Sequence, residues 1–190
     1  MAYLTRKQLE KLGFKSLGEN VKISDKASIY NFEQIEIGDN SRIDDFCIIS
    51  GNVKIGKFCH ITPMCLVAGG DKGIFLEDFC TLAYGVKIFS QSDDYSGETM
   101  VNSLIPKKYK NEKKQKVVLK RQVIVGAGSM IMPGVTVAEG CSIGAMSLIN
   151  KNTEPYGIYL GTPAIRTKDR KKDFLTLEKQ FLEEIANDFI

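Results

Sequence analysis

Three carboxylates stand within six residues at Asp93, Asp94 and Glu98, in the run QSDDYSGETM. Carboxyl groups with ordinary pKa values near ~4 are ionised at neutral pH. Crowded together they raise one another's pKa, which makes one of them a better general base. The plainer reading is an acidic, solvated loop tip whose side chains cap turns. Positive charge is also clustered. From Lys107 to Arg121 eight Lys or Arg stand against one acid, Glu112, and Arg166 to Lys172 adds five against Asp169. These runs are either solvated loop charge or a place for a small polyphosphate ligand. Nucleic acid is a poor partner, because the runs lack interleaved aromatics and any recognised binding motif. The single histidine, His60, could serve as a base near neutrality, or simply occupy a surface or an interface. Tyr84, just before the acidic run, and Tyr95 within it could stack on a ring or merely pack. Five cysteines, an odd number without a CxxC spacing, argue against disulfides and a zinc site, so no metal is expected.

The elements that hold these residues are set by a six-residue beat. Ile37, Ile43, Ile49, Ile55, Ile61 and Val67 are each six apart. After three extra residues the beat resumes at Leu76, Leu82 and Ile88, and after a longer break at Leu119, Val125, Ile131, Val137, Ile143 and Ile149. No helix repeats every six residues, and a simple strand repeats every two. One short strand plus one corner has that period, so the chain is an all-β solenoid in which each coil buries the next. The place four residues after a beat residue is small: Ser41, Val53, Val86, Val123, Ser129, Val135, Ser147 and Thr153. Cys47, Cys59, Cys65, Cys80 and Cys141 fall on the same place, so all five point inward as small buried hydrophobes. His60 follows Cys59 and therefore faces outward.

The 190 residues make a single domain. A lead-in of residues 1–20 carries a short helix, with Thr5-Arg6-Lys7-Gln8 as its capping box and Gly13 as its stop. The solenoid occupies 21–165. The excursion 89–118 interrupts it and is long enough to be functional. A C-terminal helix covers 166–190, where Phe174, Leu177, Phe181 and Ile185 share a face, with Leu182 and Phe189 beside them. That face should cover the solenoid or a neighbouring subunit. The start of the chain lacks an apolar core, and no apolar run approaches membrane length, so a cytoplasmic protein without membrane insertion is expected. A second pattern is vertical. Gly126-Ala127, Gly144-Ala145 and Thr162-Pro163 are eighteen residues apart, one coil of three hexads. Stacked down a corner, they leave a groove where a long, thin, amide-bearing ligand could reach the backbone. Solenoid corners also favour small residues for packing alone.

The hexads IGDNSR, IGKFCH, VGAGSM and IGAMSL, with the ending YLGTPAIR, resemble the hexapeptide-repeat acyltransferases of left-handed parallel β-helix fold. The resemblance spans residue 21 to about residue 172. It implies three hexads per triangular coil, a homotrimer, and an active site between subunits that takes acetyl-CoA or another acyl-CoA as co-substrate. It places the pantetheine arm along Gly126, Ala127, Gly144 and Ala145. It sets the adenine and phosphates against Gly161, Thr162, Pro163, Ala164, Arg166 and Lys168. The loop FSQSDDYSGETMVNSLIPKKYKN is similar to that of sugar acetyltransferases of surface-polysaccharide clusters, notably the subgroup that N-acylates dTDP-4-amino-4,6-dideoxyglucose. Members acting on hydroxyls carry a histidine in an S-H-D sequence here, and this chain has Ser92-Asp93-Asp94.

A sugar hydroxyl needs a base tuned near neutrality. An amine is nucleophilic once neutral, and its adduct with a thioester carries an acidic N–H that a carboxylate can take. The expected function is therefore direct acyl transfer, in a ternary complex, to the amine of a nucleotide-linked amino sugar. Asp93, Asp94 and Glu98 are the catalytic candidates, and Tyr84, Ser92, Tyr95 and His60 the substrate-binding ones. The alternative is O-acetylation of a galactoside-type hydroxyl with His60 as base. A metal hydratase on the same fold would need three histidine ligands, and a mere scaffold would not need the small-residue corner.

Overall fold

The computed structural model describes residues 2–188. Strands of two or three residues, three to a coil, stack in parallel into sheets of six, eight and six strands. The beat sets the register. Ile37 pairs with Ile55, Ile43 with Ile61 and Ile49 with Val67, each a coil apart. The break of three residues appears as Ile55 on Leu76, and the long excursion as Leu76 on Leu119. All fifteen beat residues are buried, and so are the small residues and the five free cysteines four places on. Each fully buried aliphatic side chain contributes about 1.5–3 kcal/mol relative to exposure. The interior is thus one continuous apolar ladder flanked by small residues, and the three carboxylates of the loop lie outside it.

The corners are left-handed turns, and bulky residues occupy several of them. Phe58, Phe79 and Gln122 have φ of 54°, 60° and 62° along one corner, and Phe46, Met64 and Met146 have φ of 61°, 67° and 57° along another. The first of these corners carries the C-terminal helix. Phe58 and Phe79 stack with centroids 5.0 Å apart, and Phe181 meets both edge-on at 5.3 and 6.2 Å. Arg121 lies 4.6 Å over the Phe79 ring, and its guanidinium reaches Asp78 at 2.9 Å and Glu178 of the helix at 2.7 Å. Phe174 packs on Tyr156. The apolar face therefore covers the solenoid of its own chain, although Leu177 stays mostly exposed. Phe189 lies outside the described residues.

The element boundaries differ from the sequence reading at both ends. Helix α1 is Arg6–Glu10, with the expected capping box at Thr5 and Gln8, but solenoid pairing already begins at Ser16–Leu17. At the other end, strands Gly157–Gly161 and Ala164–Asp169 fold back as an antiparallel hairpin on the eight-stranded sheet. Helix α2 then runs Asp173–Asp188, beginning seven residues later than expected. The hairpin wins because residues 164–169 can extend the edge of a sheet, with Arg166 held by Asp169 at 2.7 Å. Among the described residues, no helix is long and apolar enough to cross a membrane.

Candidate active site

The excursion leaves the solenoid after strand Lys87–Phe89 as a ribbon, with Gln91 and Ser92 paired antiparallel to Lys114 and Lys113. Part of the basic run proves structural at its root. Lys110 and Lys114 both grip Glu112, at 2.8 and 3.2 Å, and Lys114 also reaches Asp71 at 3.3 Å. Beside the ribbon opens a cavity of about 410 Å³, lined by Phe89, Gln91, Ser92, Asp93, Tyr95, Met130 and Met132. It has one polar wall and one apolar wall.

The three carboxylates separate. Asp93 lines the cavity. Asp94 turns into its own loop, accepting from the Ser96 N–H at 2.9 Å, the Thr99 N–H at 3.1 Å and the Thr99 hydroxyl at 2.7 Å. Hydrogen bonds from Ser96, then from Thr99, bring its pKa down to about 2. Crowding was expected to raise these values. For Asp94 the reverse holds, because donors rather than neighbouring anions surround it. An acid of that strength is a poor base but a good turn-former. Glu98 is exposed, and its N–H donates to Ser96 Oγ as part of the same turn.

Asp94→Ala should therefore loosen the loop and leave the solenoid alone. Tryptic cleavage at Lys107 or Lys108 should accelerate at least tenfold, with the melting temperature within about 2 °C of wild type. Unchanged cleavage would show that the loop is held elsewhere.

His60 faces outward on strand His60–Ile61, as expected, and is held by a network the sequence reading missed. Its Nε2 lies 2.8 Å from Asp44 Oδ2. Arg42 donates to the same carboxylate through Nε at 2.6 Å and Nη2 at 3.1 Å, and the Tyr3 hydroxyl donates at 3.3 Å. The Asp44 side chain is 3% exposed. Burial pushes its pKa up, but the hydrogen bonds from Arg42 and His60 outweigh this and hold it below the usual carboxylate range. An ionised carboxylate only accepts, so Nε2 is the nitrogen that carries the donated hydrogen. One signal was readable in advance. The residue after the beat is Thr62, Ala83, Gly126 and Gly144 in other coils, and a carboxylate at Asp44 breaks that column. Tyr84 is exposed at the same corner, one coil further along. Within one chain His60 and Asp93 are not brought together, since they stem from different sheets of the prism.

The small-residue corner is real, and its glycines serve the packing of the coils. A Cβ on Gly126 would lie 2.5 Å from the Ala145 nitrogen, and one on Gly144 would strike the Leu160 side chain. These glycines permit coils to touch; Ala127 beside them is half-buried and Ala145 is exposed at the edge. The last coil is two residues short, so Ile143 pairs with Tyr159. Leu160-Gly161, rather than Thr162-Pro163, consequently stacks below Gly144-Ala145. Thr162 still closes the column by donating to the Met146 carbonyl at 3.1 Å. Gly161 and Pro163 are exposed at the hairpin tip with Ala164 behind them, Arg166 is engaged by Asp169, and Lys168 is exposed. Gly126→Ala should cost about 1–3 kcal/mol as an overpacked backbone contact. A thermal melt indistinguishable from wild type would refute the contact.

The chain matches the family described as bacterial transferase hexapeptide (six repeats) over residues 34–69 and 116–151, on either side of the loop. It is 41% identical over 184 residues to a dTDP-4-amino-4,6-dideoxy-D-glucose acyltransferase of Escherichia coli, with 95% of each chain covered. It is similar to the crystal structure of AntD, an N-acyltransferase from Bacillus cereus, in complex with dTDP and 3-hydroxybutyryl-CoA. The TM-score is 0.96 at 43% identity, covering 97% of this chain and 98% of that one. A variant of AntD bound to dTDP-4-amino-4,6-dideoxyglucose and coenzyme A gives a TM-score of 0.95 at 44% identity, over 96% and 98% of the two chains.

Proposed function

The chain belongs to the hexapeptide-repeat acyltransferases, in the group of the E. coli dTDP-4-amino-4,6-dideoxy-D-glucose enzyme, and from that premise we propose that it transfers an acyl group from acyl-CoA to the 4-amine of dTDP-4-amino-4,6-dideoxyglucose. The observation that carries this reading is Asp93 on the wall of the loop cavity, facing the space that Met130 and Met132 close from the other side.

In this reading Asp93 is the general base. It draws in the ammonium form of the sugar by charge and, once that ammonium has lost a proton to solvent, holds the neutral amine against the thioester carbonyl. The amine attacks, a C–N bond forms and the carbonyl oxygen becomes an oxyanion. Asp93 takes the proton that the attacking nitrogen can no longer keep. The C–S bond then breaks, and the coenzyme leaves as a thiolate that gains a proton from Asp93 or solvent. No acyl-enzyme is required, and the five buried cysteines cannot reach a thioester outside the prism. The pantetheine arm would run along the Ala127–Ala145 corner, ending near Gly161, Pro163, Ala164 and Lys168. Ser92 and Tyr95 line the same cavity as Asp93, and with Tyr84 they are the residues this reading gives to the nucleotide sugar.

A homotrimer belongs to the same reading. Phe46, Met64 and Met146 are more than half exposed along one corner, an apolar edge that a second copy would cover. Three copies would bring the His60 face of one subunit toward the loop of the next. Five free thiols suit the reducing cytoplasm, and surface-polysaccharide synthesis is the process such a product would feed. The test is thiol release from acetyl-CoA with matched acceptors, amine against hydroxyl at sugar C4. Turnover with the amine alone supports the proposal. Turnover with the hydroxyl twin would make His60, aligned by Asp44, the base of an O-acetyltransferase.

A further inference from the structure

We propose that Met130 and Met132 set the length of the acyl chain that the enzyme takes. This rests on reading the loop cavity as the site of transfer. Its walls divide the work. Gln91, Ser92 and Asp93 are polar and belong to the ribbon, whereas Phe89, Met130 and Met132 are apolar and belong to the solenoid. The polar wall is suited to the sugar and its amine, which leaves the apolar wall to the other reactant.

Position supports that division. Met130 follows the Ala127 corner by three residues and opens the strand that leaves the left-handed turn at Gly128. A thioester delivered along that corner therefore meets Met130 first and Met132 beyond it. Met130 stands on the outer face of strand Met130–Ile131, between Lys87 and Leu148 of the neighbouring coils, and is 38% exposed. The ladder of buried aliphatics inside does not need it. Methionine is also the apolar side chain that adapts most readily to a variable occupant.

Size points the same way. The cavity of about 410 Å³ is many times the ~30 Å³ share of one water. An acetyl group adds a single methyl beyond the carbonyl and would leave the thioether wall wet. A butyryl group would cover it. Each methylene removed from water should tighten binding about fourfold.

The experiment compares acetyl-, butyryl- and hexanoyl-CoA on the wild-type protein, Met130→Ala and Met132→Trp. Calorimetry gives Kd, and thiol release with dTDP-4-amino-4,6-dideoxyglucose gives kcat/KM. The readout is the ratio between chain lengths within each protein, so that a general loss in a variant cancels. The expected result is butyryl-CoA bound several-fold more tightly than acetyl-CoA by wild type. Met132→Trp should reverse that order, and Met130→Ala should favour hexanoyl over butyryl by at least fivefold relative to wild type. Identical ratios in all three proteins would overturn the proposal while leaving the function intact. So would variants that change only the KM of the nucleotide sugar, since the wall would then hold the methyl of the 6-deoxy sugar. A wild-type protein that binds no acyl-CoA would remove the transfer reading itself, and this inference with it.

Discussion

Asp93→Asn should lower kcat by about 10²–10⁴-fold, the usual worth of a positioned general base. The affinity for coenzyme A should stay within about twofold. Asparagine keeps the size and one acceptor of aspartate but can neither hold a proton from nitrogen nor attract an ammonium. The first loss should appear in kcat and the second in the KM for the amino sugar, so both move in the same direction in kcat/KM. Glu98→Gln is the internal control. It alters a neighbouring carboxylate that is exposed and absent from the cavity wall, and its kcat should stay within about threefold of wild type. Burst-free thiol release across a pH series, with coenzyme A binding measured separately by calorimetry, would read all of these. If Asp93→Asn and Glu98→Gln lose equal activity, the cavity carboxylate is no more special than the loop tip. If Asp93→Asn weakens coenzyme A binding as much as turnover, Asp93 holds the cofactor rather than the acceptor.

The solenoid could be read almost completely from the beat, because a six-residue period admits one architecture and each aliphatic position reports its own burial. The cysteines illustrate how strong that signal is: all five were assigned to the interior by register alone, and all five are buried. The ends were less legible. Residues 164–169 contain no apolar beat, and nothing local distinguishes an antiparallel hairpin edge from the first turns of a helix. The loop could be located as a break in the beat, yet its internal order could not be read. Asp93 and Asp94 are adjacent and chemically identical, and only the turn at Ser96 and Thr99 sends one into the cavity and the other into hydrogen bonds. Glycine was legible as a type but not as a cause. Gly126 and Gly144 read equally well as a ligand groove and as a contact between coils, and the Cβ distances favour the contact. Asp44 was legible in principle, since it alone breaks a column of small residues, but that column becomes visible only when the coils are laid over one another.

Asp44→Asn should combine a loss of stability with a loss of order at His60. The asparagine must turn its amide so that one end meets Arg42 and the other His60, and four donor groups from three residues then share one neutral acceptor oxygen. Leaving such buried partners half-satisfied costs about 1–3 kcal/mol, and about 2–4 °C of melting temperature per kcal/mol for a chain of this size. The pH dependence follows from the lowered carboxyl pKa of Asp44. A group whose folded pKa lies below its unfolded value near ~3.9 contributes its stabilisation above that unfolded value. The contribution is then lost as pH falls through the folded pKa. Wild type and Asp44→Asn should therefore differ fully at pH 7, and the difference should shrink in melts taken progressively below the unfolded carboxylate value. Equal melting temperatures at pH 7 would mean that the buried carboxylate contributes nothing net, its desolvation cancelling its hydrogen bonds. The histidine reports separately. With Asp44 removed, Nε2 is no longer fixed as the donor, and the imidazole nitrogen resonances should shift toward the tautomer mixture of a free ring. If the resonances stay in place while stability falls, Asp44 braces Arg42 and Tyr3 alone. His60 would then be an outward-facing surface residue, and the hydroxyl-acylating alternative would lose the one piece of geometry that favours it.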